Sequence, residues 1–339
     1  MSQYQRYSRQ MLFSQIGEEG QKKFGDTSIL IVGMGALGTA IANHMVRAGI
    51  GKVRIVDRDY VEKSNLQRQM LFDEDDVEAT LPKAVAAKRK LEKMNSEVTI
   101  EAITADVNAS NILELMEEID MVMDGTDNFS TRFLLNDAAF KQGIPYVYGG
   151  AVSSRGMTAL FIPGETPCLR CFIQDAGGTT GETCDTIGVI SPIVDIIASY
   201  QVTEAMKYIV GAYEKLNRCL LTVDIWNNHT YSMKYSSPKT DCPACQKKEF
   251  PALQHGAASE VASLCGRETI QINLEKAFDL KEWSLRLEKV AKVKKTPFLL
   301  KAELEEGERL VIFPDGRVLV QGTSDSGRAK ALYSRYIGM

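Results

Sequence analysis

Apolar residues fall in short blocks separated by amphipathic stretches along most of the chain. The block Ser28 to Val32 ends at Gly33-Met34-Gly35-Ala36-Leu37-Gly38 and gives way to a helical spacing that runs to Ala48, before a second block at Val53 to Val56. That order predicts strand, glycine turn, helix, strand. A helix with a lysine-rich face is expected over Lys83 to Met94, with strands near Val98 to Ile103 and Met121 to Asp124. Helices near Asn111 to Glu117 and Thr131 to Lys141 lead to a further strand starting near Pro145. Strands alternating with helices in this way form a mostly parallel sheet covered on both faces.

From Thr158 to Ile162 the pattern shortens into strands, and Gly177 to Thr183 reads as a mobile loop. A long helix is expected over Ile193 to Val210, and strands at Leu220 to Ile225 and Thr230 to Lys234 would extend the sheet in antiparallel fashion. Beyond Cys245 the spacing changes. A helix near Leu280 to Val290, a hairpin over Arg309 to Gln321 turning at Asp315-Gly316, and a helix over Ser326 to Tyr336 read as a small separate unit. The expected architecture is therefore α/β, a Rossmann-like mostly parallel sheet with an antiparallel extension and a small C-terminal α+β unit. The expected organisation is a large domain over 1–248, a linker over 249–264 and the small unit over 265–339.

Composition changes this picture little. With 339 residues, 44% apolar, 25% charged and a formal charge of −4, the chain can bury a large core, and its overall charge gives no reason to expect nucleic-acid or membrane binding. The N-terminus lacks the apolar core of a signal peptide, no apolar run is long enough to span a bilayer, and a cytoplasmic protein is expected. In that reducing compartment seven cysteines are better read as metal ligands or reactive thiols than as disulfides.

The candidate chemistry begins at the glycine turn. Gly33-x-Gly35-x-x-Gly38 between a strand and a helix presents backbone N–H groups and a helix N-terminus to phosphates, and Asp57, about 20 residues on at the end of the next strand, is placed to hold a ribose. A nicotinamide-dependent oxidoreductase would use such a unit. The following stretch favours other chemistry: Arg68 and Lys83 are cations suited to phosphates, and Asp127, in Asp124-Gly-Thr-Asp127-Asn128, is an acid suited to Mg²⁺. Asp127-Asn128 equally suits a cap for a helix starting near Ser130, and the two roles are compatible. Asp59 has no assigned role beyond the strand exit.

Two C-x-x-C pairs, Cys168-Leu-Arg-Cys171 and Cys242-Pro-Ala-Cys245, lie about 70 residues apart and together can close a tetrahedral structural zinc site with no open position. Cys219 reads as core, and Cys265 as the start of the last unit.

Taken in order, Arg6-Tyr-Ser-Arg9-Gln, the glycine loop, Ser64-Asn-Leu-Gln-Arg-Gln69, Pro82-Lys83, Gly125-Thr-Asp-Asn128 and the two cysteine pairs resemble the ThiF/MoeB/HesA family, bacterial relatives of the ubiquitin-activating enzymes, over roughly residues 4 to 246. The resemblance implies that ATP and Mg²⁺ are used to adenylate the C-terminal Gly-Gly carboxylate of a small ubiquitin-like sulfur carrier protein, of the molybdopterin or thiazole type. It implies that Asp57 holds the ribose, that Gly35 lies near the phosphates, that Asn65, Arg68 and Lys83 neutralise charge, and that Asp127 holds Mg²⁺. It also implies that Arg9 reaches into a neighbouring subunit's site in a homodimer, and that Zn²⁺ occupies the four cysteines.

Cys184, next to the glycine- and threonine-rich stretch, matches a loop where some relatives form a thioester or acyl-disulfide and others carry a cysteine without needing it. Many relatives carry a sulfur-supplying rhodanese domain; the tail here shows no such active loop around Cys265, so a separate sulfur donor protein is expected. Where relatives often have Gly-Gln-Pro-Lys, this chain has Thr80-Leu-Pro-Lys83. A non-catalytic nucleotide-binding protein, or adenylation of a peptide or another carboxylic acid, are the remaining alternatives.

Overall fold

The computed structural model describes residues 5–173, 187–254, 261–263, 268–273 and 277–338. Two compact units divide at Gly256 and Ala257. The first is built on eight strands: β1 (Ser28–Val32), β2 (Lys52–Asp57), β3 (Thr99–Thr104), β4 (Met121–Asp124), β5 (Tyr146–Val152), β6 (Arg155–Phe161), β7 (Cys219–Asp224) and β8 (His229–Lys234), in the order β3-β2-β1-β4-β5-β6-β7-β8. The pairings from β3 across to β5 are parallel, and β6, β7 and β8 add on antiparallel.

Strands buried on both faces need apolar residues at nearly every position, and β1 satisfies this with Ile29, Leu30, Ile31 and Val32 all buried. Leu30, Val32 and Val122 face the helix Phe129–Gln142 through Phe133, Leu134 and Ala138. On the other face the helices Ala36–Ala48, Lys83–Met94 and Ser191–Val210 pack on the sheet and on one another. The chain leaves β1 toward β2 on one side and returns to β4 on the other. The crevice at the carboxyl ends of β1 and β4 is therefore the topological switch point where open α/β sheets bind ligands.

The second unit is a six-stranded antiparallel sheet in the order β11-β12-β13-β14-β10-β9, from β9 (Val261–Ser263), β10 (Thr269–Asn273), β11 (Lys292–Lys295), β12 (Leu300–Glu303), β13 (Arg309–Ile312) and β14 (Arg317–Gln321). The helices Leu280–Leu287 and Ser326–Tyr336 cover one face through Leu287, Ala329, Leu332 and Tyr333. The expected hairpin is present, with Gly316 at φ 98° in its turn. Strands β9 to β12 have no counterpart in the sequence reading. The stretch read as a linker carries the short helix Pro251–Gln254 and β9. Among the described residues no helix is long and apolar enough to cross a membrane.

Candidate nucleotide site and cysteine tetrad

The glycine turn is dictated by close backbone packing. Gly33 sits at φ 88°, where side chains are disfavoured, and its N–H donates to Val56 O at 2.8 Å. A Cβ on Gly38 would lie 1.8 Å from Gly33 O, and one on Gly125 would lie 2.4 Å from the same oxygen. Gly33, Gly38 and Gly125 thus lock the ends of β1 and β4 together. Gly35 differs: a Cβ there would meet only Gly125 O, at 3.9 Å. Gly35 is also the N-cap of the helix Ala36–Ala48 and supplies no side-chain cap, which leaves first-turn amides to a ligand.

These differences separate two substitutions. Gly38→Ala forces a backbone collision and is expected to destabilise the unit by about 3 kcal/mol or more. Gly35→Ala is expected to change stability by less than about 1 kcal/mol while weakening ATP binding about tenfold or more, because the added methyl stands in open space at the helix N-terminus. Thermal unfolding and nucleotide titration of the two variants check both.

Asp57 stands at the end of β2. Its Oδ2 accepts from Met34 N at 2.6 Å and its Oδ1 from Asp59 N at 2.7 Å, so the carboxylate is anchored to the glycine turn and keeps a lone pair on each oxygen for a ribose hydroxyl. Burial pushes its carboxyl above the usual range, and Lys83 pulls it back down.

Lys83, the first residue of the helix Lys83–Met94, is buried and lies 3.3 Å from Asp59 Oδ2, while its backbone N–H donates to Asp59 O at 2.9 Å. Asp59 is therefore the counter-ion that places the lysine. Thr80, where relatives often have glycine, takes φ 51° in the turn leading to it.

Asn65 is buried in a short 3-10 turn, where its Oδ1 accepts from Glu62 N at 3.1 Å. Arg68, half-buried, donates to Ser64 O at 3.0 Å. Arg58 is paired with Asp106 at 3.0 Å; burial works against its charge, but Asp59, Asp106 and Asp127 outweigh it, so all three acids stand near one guanidinium.

Asn128 caps the helix Phe129–Gln142 by accepting from Thr131 N at 2.9 Å, and Asp127 is exposed immediately before it. The capping role therefore falls to Asn128. Beneath them Asp124 Oδ1 accepts from Thr126 N at 2.9 Å and Thr126 Oγ1 at 2.7 Å, and its Oδ2 accepts from the Tyr146 hydroxyl. Buried Arg132 donates to Thr126 O at 2.9 Å. Asp124, Arg132 and Tyr146 hold the turn that carries Asp127, and none of them had been singled out for that role from sequence.

Arg9 is exposed on the short helix Ser8–Met11, beside exposed Leu12 and Phe13. The segment is moored by Tyr7, whose hydroxyl donates to Glu97 Oε2 at 2.8 Å, and by Gln10, which donates to Ala48 O at 3.0 Å. No bond or ion pair joins Arg9 to the crevice residues within the described part of the chain. Cys184 and Cys265 lie outside the described residues, and Cys219 is buried, donating to Asn217 Oδ1 at 3.0 Å.

The two cysteine pairs converge. The four sulfurs of Cys168, Cys171, Cys242 and Cys245 lie within 4.8 Å of one another, with Sγ–Sγ distances of 3.5 Å for Cys168–Cys242 and for Cys171–Cys245. Edges near 4 Å are those of a thiolate tetrahedron around an ion with metal–sulfur bonds of about 2.3 Å. The hydrogen bond with Cys168 holds the Cys242 thiol below its ordinary value. Apolar Phe140, Phe172 and Phe250 wall the cluster. The donor set fits a closed structural metal site.

The chain is 46% identical over 337 residues to the sulfur carrier protein ThiS adenylyltransferase of Bacillus subtilis, covering 98% of this chain and 99% of that protein. It is 36% identical over 246 residues to the SAMP-activating enzyme E1 of Haloferax volcanii, covering 72% and 89%. The crystal structure of E. coli MccB superposes with a TM-score of 0.63 at 25% identity over 73% of each chain. Residues 7–244 match the ThiF family, and the chain belongs to that family.

Proposed function

We propose that this chain adenylates the C-terminal Gly-Gly carboxylate of a small ubiquitin-like sulfur carrier of the thiazole type, using ATP with Mg²⁺ and releasing pyrophosphate. The observation that carries the reading is the end-to-end match to a ThiS adenylyltransferase. Supporting it are the uncapped helix N-terminus after Gly35, the bond from Met34 N to Asp57, the Lys83–Asp59 pair, and the charge that Asp59 and Asp127 both exert on Arg58.

In this reading the first-turn amides beyond Gly35 take the phosphates, Asp57 takes the ribose, and Asn65 orients the nucleotide beside it. A carrier carboxylate oxygen attacks the α-phosphorus, a P–O bond forms, and the bond from the α-phosphorus to the α,β-bridging oxygen breaks with its electrons leaving on pyrophosphate. Arg68 and Lys83 meet the charge that grows on the non-bridging and leaving oxygens, so the residues act by position and charge and no protein nucleophile is needed. Mg²⁺, when bound, would draw charge from the phosphates, and Asp127 would hold it.

The four cysteines would hold Zn²⁺ as a structural ion. Exposed Arg9, Leu12 and Phe13 on one short segment support a homodimer in which Arg9 completes the partner's crevice. Sulfur would come from a separate donor protein, and Cys184 is the candidate for a covalent carrier intermediate.

ATP–pyrophosphate exchange tests the reading, with thiazole-type and molybdopterin-type carriers supplied intact or lacking the terminal Gly-Gly. Exchange that needs the intact thiazole-type tail is expected. Exchange with the molybdopterin type alone would reassign the pathway, and none with either carrier by a folded, metal-loaded protein would refute adenylation of a sulfur carrier.

A further inference from the structure

The two halves of the cysteine tetrad come from segments 74 positions apart, counted from Cys168 to Cys242, and each must be held in place for the sulfurs to converge. Helix Phe129–Gln142, whose N-cap follows Asp127, carries Asn136 and Asp137, both fully buried. Asp137 receives hydrogen bonds from the first C-x-x-C loop and from the segment after the second, which is tied back to that loop where Glu249 N donates to Pro243 O at 2.9 Å. Its Oδ1 accepts from Arg170 Nε at 2.7 Å and its Oδ2 from Arg170 Nη2 at 2.9 Å; Arg170 stands inside the first C-x-x-C loop. Oδ2 also accepts from Ala252 N at 2.9 Å, in the short helix that follows the second loop.

Asn136 adds a bond from Leu169 N at 2.9 Å to its Oδ1 and steadies the carboxylate through Nδ2 at 3.1 Å. The Arg170 guanidinium lies 4.6 Å from the centre of the Phe133 ring, and Phe140 of the same helix packs on the tetrad.

We propose that Asp137 is a positioning residue that ties both cysteine loops to one helix and so sets how tightly the tetrad retains its metal. This rests on the reading of the four cysteines as a metal site. A buried ion pair alone gives weak stabilisation, because desolvation offsets most of the attraction. The distinguishing feature here is that one carboxylate accepts from the first loop and from the segment bonded to the second, so the fold brings the two into register and the ion does not have to bear the whole cost of closing a long loop. Groups that orient metal ligands from behind typically change metal affinity by about 10- to 100-fold when removed. The helix also starts at the cap that follows Asp127, with Phe129 about 12 Å from Asp137 along its axis at the usual rise per residue, so the tetrad and that turn are joined by one helix.

The test uses the full metal-loaded chain and reads transfer of the ion to an excess of a colorimetric chelator. Metal content of the wild type comes first: an ion content well below one per chain would refute the tetrad reading and overturn the role proposed for Asp137 with it. With that established, the double variant D137L/R170M removes both charges together, so that no unpaired ion is left buried, and is expected to release metal about 10- to 100-fold faster than wild type. Release at the wild-type rate overturns the proposal. So does an acceleration no larger than the gain in global unfolding rate, read by loss of far-UV circular dichroism in the same buffer. Should the double variant fail to fold, Arg170→Lys keeps the ion pair but loses its two-pronged geometry; release a few-fold faster supports the proposal and an unchanged rate overturns it.

Discussion

Asp127→Ala is expected to lower carrier-dependent ATP–pyrophosphate exchange by about a thousandfold while leaving the melting temperature unchanged. The two halves of that expectation come from different residues. Stability at this turn belongs to Asn128, whose side chain caps the helix Phe129–Gln142, to Asp124, which accepts from Thr126 twice, and to Arg132, which pins Thr126 O. Asp127 itself is exposed. Its removal leaves those bonds in place and takes away the carboxylate proposed to hold Mg²⁺.

Asn128→Ala reverses the pattern. Loss of an N-cap costs about 1 kcal/mol, so it should lower the melting temperature first and affect exchange only through the position of Asp127. Exchange within tenfold of wild type in Asp127→Ala, or a drop in melting temperature matching that of Asn128→Ala, would show that Asp127 is a second structural residue of the turn.

The parts of the site legible in the sequence are those imposed by local backbone constraint or by short-range ligand geometry. Gly33 and Gly38 have to be glycine because another backbone occupies the space of a Cβ, and a run of glycines at fixed spacing between strand and helix is visible without the fold. The cysteine pairs are legible because two thiolates on one turn can grip an ion. The long parallel-sheet strands announce themselves by continuous apolar runs.

What was not legible depends on pairing across the chain. Arg170 meets Asp137 from 33 positions away and Arg58 meets Asp106 from 48, and in sequence each is simply a charge. Asp59 stood in view beside Asp57, but its meaning rests on the helix start that brings Lys83 to it. In the C-terminal unit, β11 reads Lys-Val-Lys-Lys and is mostly exposed at the sheet edge; charge there discourages pairing with other chains and hides the strand from any apolar pattern.

The Asx pair at Asp127-Asn128 shows the limit of local reading from the other side. Capping and metal binding are both open to the pair in sequence; the geometry gives the cap to Asn128, in extended conformation at φ −133°, and leaves Asp127 exposed just before it.

Lys83→Met should give the other large effect, and its signature is a pH dependence. Buried Lys83 lies 3.3 Å from Asp59 and pulls the Asp57 carboxyl downward against the rise that burial imposes. Without the lysine, Asp59 keeps only the more distant charge of Arg58, a change expected to cost up to about 3 kcal/mol, and exchange should fall about a thousandfold with the phosphate contact proposed for Lys83.

The Asp57 carboxyl should rise further. A carboxyl raised on folding favours the native state below its unfolded pKa, about 3.9, and that contribution is lost as pH rises through the folded value. The variant should therefore lose more stability between pH 4 and neutral pH, on the order of 1 kcal/mol for each further unit of rise, than wild type does. Nucleotide binding runs the opposite way with acid. Protonated Asp57 cannot accept from both Met34 N and a ribose hydroxyl as the carboxylate does, so affinity should collapse at a higher pH in Lys83→Met than in wild type on the way down. Nucleotide titrations and urea midpoints across that range measure the two limbs. Parallel pH profiles for variant and wild type would mean that Lys83 does not set the charge of Asp57, and would confine its role to the phosphates.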